Sequence, residues 1–273
     1  MRPGPIHRDA LGLGLRLSHY AHLFEHWPDV DYFEIISENF MSDAEAPRRH
    51  LDRVRARYPI VLHGVGLNLL GPEPLDERYL ESVCRLADHV DAPFVTDHLC
   101  WTGAHGMSHH DLLPTPYVSE LVEVAAERAR QVQRALGRPF GLENLSSYVA
   151  FKRSTLSEWD FYTAVVRESG CWFMLDVNNI YVSGVNHGFD PRAYLASIDY
   201  DRVLQVHLAG HAAEPAGNLV DTHSRPVCDQ VWQLYAEAWR LGGPFPTLLE
   251  WDDEIPEMPT VLAELAKARE ARA

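Results

Sequence analysis

Eight short apolar runs, rich in β-formers, recur along the chain: LGLGLRL (11–17), DYFEIIS (31–37), PIVLHGV (59–65), PFVTDHL (93–99), PFGLENL (139–145), WFMLDV (172–177), VLQVHL (203–208) and PTLLEW (246–251). The segments between them mostly read as amphipathic helices. Residues 117–136 put Val118, Leu121, Val122, Ala125, Ala129, Val132 and Leu136 on one stripe at helical spacing. Residues 75–90 and 227–243 behave alike, the latter ending at a glycine pair that suits a helix C-terminus. Strand–helix alternation sustained eight times predicts an α/β fold, a parallel sheet closed into a (β/α)8 TIM barrel of about 250 residues. A doubly wound open sheet would not need eight regular units. No repeat, low-complexity tract or linker divides the chain, so one domain over residues 1–273 is expected.

Composition narrows the class. Hydrophobic residues make up 46% and charged residues 23% of the 273, ordinary for a globular protein. The net charge of -15 argues against a broad nucleic-acid or anionic-membrane footprint, since phosphate binding depends on Lys and Arg. No 18-residue apolar run occurs, and the first residues lack a signal-like apolar stretch. Cys84, Cys100, Cys171 and Cys228 are widely spaced and form no CxxC. Reduced thiols and a cytoplasmic setting are expected.

The chemistry gathers at the strand ends, where barrels of this kind carry their catalytic groups. Read in order, these ends give His19, Glu38, His63, Asp97 with His98, Glu143, Asp176, His207 and Glu250. About one residue in five is Asp, Glu or His, so chance would populate a few ends, but not every one. Glu143, Asp176 and Glu250 follow directly on apolar strand residues, where a buried carboxylate is costly unless something neutralises it. Divalent or trivalent cations would account for all three together. Carboxylates bridge metals and imidazoles terminate them, so the mixture suits two or three hard-to-borderline ions. Asp221 and His223, in VDTHS, form an Asp-x-His pair that would point both side chains the same way from an extended segment.

Other residues admit plainer readings. His63 or His98 alone would more often be a hydrogen-bonded core histidine. Asn144, Asn178 and Asn179 follow carboxylates and fit turn chemistry as well as a site role. His22 and His26 share a face with His19 and suit a solvated surface. His105, His109 and His110 fall in a loop that would serve as a substrate lid or simply lie exposed. Cys100 reads as a buried structural thiol.

The stretches GLGLRLSHY, DYFEIISENF, VLHGVGLNLLG, VTDHLCW, GLENLSSY, LDVNNIYVS, VHLAGH and VDTHS resemble the DUF692 or UPF0276 family. These are the multinuclear non-heme iron-dependent oxidative enzymes, which include the iron oxygenase of methanobactin biosynthesis. The resemblance runs from about Leu11 to Glu250. It implies a xylose-isomerase-like barrel holding two or three irons. It also implies modification of ribosomally made precursor peptides with dioxygen, usually at cysteine, often with a small partner protein that presents the peptide. By motif, His63, His98 and Glu143 would hold one iron. Glu143, Asp176, His207 and Glu250 would hold the second, and Asn179, Asp221 and His223 a weaker third. Asp97, Glu38, Asn39 and His19 would serve as orienting or substrate-side residues.

The same donors resemble those of barrel-shaped apurinic-site endonucleases, which use three zinc ions. Asn179 stands where those enzymes would have a histidine, and an amide oxygen is the poorer zinc ligand. A metal-dependent phosphodiester hydrolase and a metal-binding accessory or storage protein are the alternatives. The ligand set alone does not separate iron from zinc or manganese.

Overall fold

The computed structural model describes residues 6–42 and 45–272; the side chain of His110 lies outside the described residues. Eight parallel strands close into a barrel: β1 Leu11–Gly14, β2 Tyr32–Ile36, β3 Ile60–Gly64, β4 Val95–His98, β5 Phe140–Glu143, β6 Trp172–Asp176, β7 Val203–Leu208 and β8 Thr247–Leu249. Each pairs with its sequence neighbours, and β8 pairs with β1 to complete the ring. All eight expected strands are present. Around them lie α1 Tyr20–His26, α2 Glu45–Arg55, α3 Glu77–Val90, α4 Ser119–Leu136, α5 Glu158–Ser169, α6 Val177–His187, α7 Pro191–Ala196, α8 Asp229–Gly242 and α9 Met258–Ala271.

Alternation along each strand sorts the side chains. Leu11, Leu13, Phe33, Ile35, Ile60, Leu62, Phe140 and Leu142 join the shell between barrel and helices. Tyr32, Val61 and Leu248 form a separate cluster with Ala10 and Phe94, which plugs the lower lumen. Tyr32 takes so much of that space that a Cβ on Gly12 would lie 2.4 Å from its ring. The same parity sends His63, His98, Glu143, Asp176, His207 and Glu250 inward, above the plug. Asp97, one residue before His98, points the other way, towards Tyr79 of α3.

Three local features add to or alter the expected picture. The loop after β4 is an antiparallel hairpin, Trp101–Ala104 with Met107–Leu113. His105 and Gly106 form its two-residue turn, both at positive φ (54° and 74°), as a right-twisted hairpin requires. The glycine pair does end α8, as expected, with Gly243 as an extended cap at φ -63° and not a left-handed one. Gly242 is instead needed for close packing, a Cβ there falling 2.0 Å from Tyr200 Cβ. The Asp-x-His segment is not extended: His223 sits at φ 46°, a strained conformation for a non-glycine residue.

Glu158, in the first turn of α5, gives a pH signature remote from the lumen. Burial pushes its carboxyl up from 4.5 to about 7, and its Oε1 is buried without a hydrogen bond. Folded protein then holds a proton that the unfolded chain has released, so this group's contribution falls as pH rises between those values. Glu158→Gln is expected to be more stable than wild type at pH 8, by about 2 kcal/mol after allowing for partial exposure, and to converge on it below pH 4.5. Urea melts across that range check this; parallel curves would refute it.

Candidate metal centre

His98 and Glu143 are level neighbours on β4 and β5, and Asp176 and His207 on β6 and β7. Side chains scattered over most of the chain therefore meet at one barrel mouth. His63, His98 and Glu143 each place a donor atom within 4.8 Å of the others; so do Glu143, Asp176 and His207, then Asp176, His223 and Glu250, and Glu34, His207 and Glu250. Glu143, Asp176, His207 and Glu250 each belong to two of these groups, as adjacent positions sharing ligands would require.

Hydrogen bonds behind the imidazoles fix which nitrogen faces the mouth. His98 Nδ1 lies 3.0 Å from Gly64 O, which can only accept. In the neutral ring, Nδ1 therefore carries the proton and Nε2 the lone pair. Thr96 Oγ1 spends its proton on Leu62 O and so accepts from His63 Nδ1 at 2.8 Å, with the same consequence. Both Nε2 atoms approach Glu143 Oε2, at 3.1 Å from His63 and 3.0 Å from His98. Yet Oε2 makes no aligned hydrogen bond.

Among the described residues thirteen side-chain atoms are buried in this way, and Glu143 Oε2 is one of five that gather around the mouth. Asp176 Oδ2, Asn179 Oδ1, His207 Nδ1 and His223 Nε2 are also buried without a hydrogen bond. Orphaned polar groups are rare in native interiors. Five on neighbouring side chains, all oxygen or imidazole nitrogen, fit cations of hard-to-borderline character.

The electrostatics agree. Although burial opposes its ionisation, His98 and His63 hold the Glu143 carboxyl well below the usual range. Burial opposes protonation of His98, but Glu143 raises it to about 9. Glu250 is likewise held low against burial, chiefly by His207. Asp176 is pushed well up, by burial and then by Glu143 and Asp221. Without a cation, protons must neutralise this carboxylate excess.

The remaining expected residues divide. Asp221 Oδ1 lies 2.8 Å from His223 Nε2. Asp221 is held by Asn178 Nδ2 at 2.7 Å and Ser146 Oγ at 3.2 Å. Asn179 turns its Nδ2 to Glu143 Oε1, at 3.2 Å, and to Asn144 O; Asn178, its neighbour, is the one that bonds Asp221. Asn144 exchanges two hydrogen bonds with the Asp176 backbone, which extends the β5–β6 ladder. Glu38, Asp97, Asn39 and His19 do not line the cavity at the mouth. Glu38 accepts from Val65 N at 2.9 Å and from Tyr79 OH, and Asp97 accepts from Leu67 N at 3.3 Å and His98 N at 2.7 Å. The two brace the loop after β3. Asn39 is exposed, and His19 Nε2 meets Pro256 O at 2.9 Å. Cys100 is buried, and His22 and His26 pair on α1.

Sequence reasoning missed Glu34, Arg16 and Asp252. Arg16 binds Asp252, which in turn meets His223 Nδ1 at 2.8 Å. Glu34 is buried in β2 beside His207 Nε2, at 3.2 Å. A lone Glu inside an apolar strand was the available signal for Glu34. Asp252, in EWDDE, reads as part of a solvated acidic turn.

The cavity measures about 130 Å³ and has Ile36, Val65, Leu112 and Leu145 as apolar walls. At about 30 Å³ per water it holds about four water-sized groups. That is room for ions and the end of one side chain. Leu112 comes from the hairpin after β4, and Asp221 from the segment that closes a second, shorter hairpin, Ala212–Ala213 with Leu219–Val220.

Solved structures that resemble this one share its barrel at low identity. A D-psicose 3-epimerase from Clostridium cellulolyticum H10 superposes with TM-score 0.61 at 14% identity, over 96% of each chain. A xylose isomerase domain protein from Planctomyces limnophilus gives 0.55 at 16%, over 97% of this chain and 96% of that one. At such identities the likeness shows a xylose-isomerase-like TIM barrel and nothing of the chemistry. Sequence relatives are nearer. A UPF0276 protein of Caulobacter vibrioides is 47% identical over 262 residues, covering 96% of this chain and 93% of the relative. One from Acaryochloris marina is 43% identical over 257 residues, covering 94% and 92%. The family model described as "RiPP precursor modification enzyme MbnB/TglH/ChrH" matches residues 10–273. This chain belongs to the MbnB/TglH/ChrH family of RiPP precursor modification enzymes, the UPF0276 or DUF692 proteins.

Proposed function

We propose that this protein is a cytoplasmic, iron- and oxygen-dependent enzyme that modifies cysteine residues of a ribosomally made precursor peptide, presented by a small partner protein. The observation that carries the reading is the convergence, at one barrel mouth, of five buried donor atoms without an aligned hydrogen bond, in a chain of this family. His63, His98 and Glu143 would hold one iron. Glu143, Asp176, His207 and Glu250 would hold a second, and Asn179, Asp221 and His223 a third. Two or three ferrous ions held by these residues would supply redox chemistry towards dioxygen and affinity for a substrate thiolate. The chain's own part is to fix the ligands. Gly64 O and Thr96 Oγ1 keep Nε2 of His98 and His63 free of protons in the neutral rings. Ile36, Val65, Leu112 and Leu145 limit water around the reacting side chain.

The test is co-expression with a cysteine-containing precursor and partner encoded beside this chain's gene. Protein handled under argon is expected to carry about two to three irons per chain and to give a peptide mass change only when oxygen is admitted. A peptide modified equally without oxygen would overturn the oxidative reading. So would metal-dependent nicking of an abasic-site duplex at a catalytic rate, which the net charge of -15 and Asn179 disfavour.

A further inference from the structure

Beneath the candidate ligands, a polar chain crosses the barrel from β2 to β7, two strands that are not neighbours in the sheet. Gln205 Nε2 donates to Tyr32 OH at 3.2 Å and to Glu34 Oε2 at 2.9 Å. The same Glu34 oxygen lies 3.2 Å from His207 Nε2. All four side chains are buried, none more than 2% exposed. The register shift in β6–β7 pairs Phe173 with Val203 and Met174 with Gln205, leaving Leu204 as the extra residue. Such a bulge re-aims the side chains beyond it, and here both Gln205 and His207 face the lumen.

A carboxylate this deep is costly unless its oxygens are satisfied, and among the described residues no arginine or lysine is hydrogen-bonded to it, Arg16 acting on it only through its charge. Its donors are the Gln205 amide and a ring nitrogen of His207. That ring nitrogen must therefore carry the proton, which leaves the lone pair of the neutral ring on Nδ1. His207 Nδ1 is buried without a hydrogen bond and lies 3.2 Å from Glu250 Oε2, and a ring nitrogen of His207 lies within 4.8 Å of donor atoms on Asp176 and Glu143.

We infer that Glu34 is a positioning residue: it holds His207 Nε2–H so that Nδ1, unlike the Nε2 ligands of His63 and His98, faces the metal position shared with Glu143, Asp176 and Glu250. Gln205 holds Glu34 in turn, and Tyr32 OH takes the second hydrogen of the same amide. A carboxylate behind a ligating imidazole orients the ring and raises its basicity. Glu34, His207 and Glu250 also place donors within 4.8 Å of one another, so direct ligation by Glu34 is the competing arrangement. Glu34 Oε2 is already engaged by Gln205 and His207, which favours the indirect role, and ligation through Oε1 would show as a lost ion in the test below.

The inference rests on the metal-centre reading above, and its test separates the two. Fe(II) is titrated into wild type and Glu34→Gln under argon, and both loaded proteins are crystallised. Thermal melts of the apo-proteins check that the near-isosteric variant folds. Wild type should show His207 bound through Nδ1. The variant should reach the same number of ions per chain at saturation, with affinity at the second position weaker by about 10- to 100-fold, as for removal of such orienting partners. A variant that saturates one ion short would make Glu34 a ligand and overturn the inference. Unchanged affinity, or His207 bound through Nε2, would also overturn it while leaving the metal centre intact. Wild type that binds no iron would remove both readings. Gln205→Leu, which leaves Glu34 in place but unsupported, should weaken the same position; no effect there would remove Gln205 from the relay.

Discussion

Glu143→Gln is expected to abolish peptide modification and to empty more than one metal position at once. Glu143 stands between two groups of donors, with His63 and His98 on one side and Asp176 and His207 on the other. An amide matches the carboxylate in size but cannot bridge two cations with two anionic oxygens. Losing it removes a ligand from both positions, whereas His223→Ala removes one from the more solvent-accessible position alone. Metal analysis should therefore show a larger drop for Glu143→Gln than for His223→Ala. Stability gives a second readout, because a cation that binds only folded protein stabilises it. At a free concentration a thousand times Kd, one ion contributes about 4 kcal/mol. At about 2–4 °C per kcal/mol, wild type should melt about 8–16 °C higher with ferrous iron than without. Glu143→Gln should respond by a small fraction of that. Equal metal content and equal thermal response in wild type and variant would refute the bridging assignment.

How much of this site could be read from sequence depended on where each residue sits relative to its strand. Glu143, Asp176 and Glu250 were legible because each ends an apolar run, where an unpaired carboxylate has no ordinary explanation. Their depth follows from strand parity, and so does the separation of His98 from Asp97, adjacent in sequence but on opposite faces of β4. Sequence proximity alone could not distinguish those two. Glu38 illustrates a related limit: it follows β2 and looks like a strand-end ligand, but spends one oxygen on Val65 N and Tyr79 OH. Glu34, four residues earlier, is the β2 carboxylate that reaches the site. Its signal is a charged residue among Tyr32, Phe33, Ile35 and Ile36, inside the strand and not at its end. Arg16 and Asp252 meet across the β8–β1 closure, 236 positions apart, a contact that no local pattern announces. The strained His223 backbone was hidden for a different reason, since Asp-x-His permits an extended segment and only tertiary contacts select positive φ.

Replacing the precursor cysteine proposed as the site of modification by serine is expected to remove the oxygen-dependent mass change entirely. The cavity admits the end of one side chain beside the proposed ions, and the donors around it are carboxylate, amide and imidazole, with no thiolate among them. The chain's own nearby thiol, Cys100, is fully buried and pushed well above its ordinary pKa, first by burial and then by Asp97 and Glu143. A sulfur ligand would therefore have to come from the substrate. A cysteine thiol ionises near pH 8.5, and coordination to a cation lowers that further, so a thiolate is available at neutral pH. A serine hydroxyl has no comparable anionic form there, and its oxygen must compete with water for the same position. Side-chain volume changes little, so serine should still enter the cavity. Peptide affinity, read by titration under argon without turnover, should fall only modestly, while the mass change disappears. That split would place the requirement on ligation rather than fit. Serine peptide modified at the cysteine rate would refute thiolate binding. A mass change that persists but maps to another residue would move the substrate assignment and leave the metal centre in place.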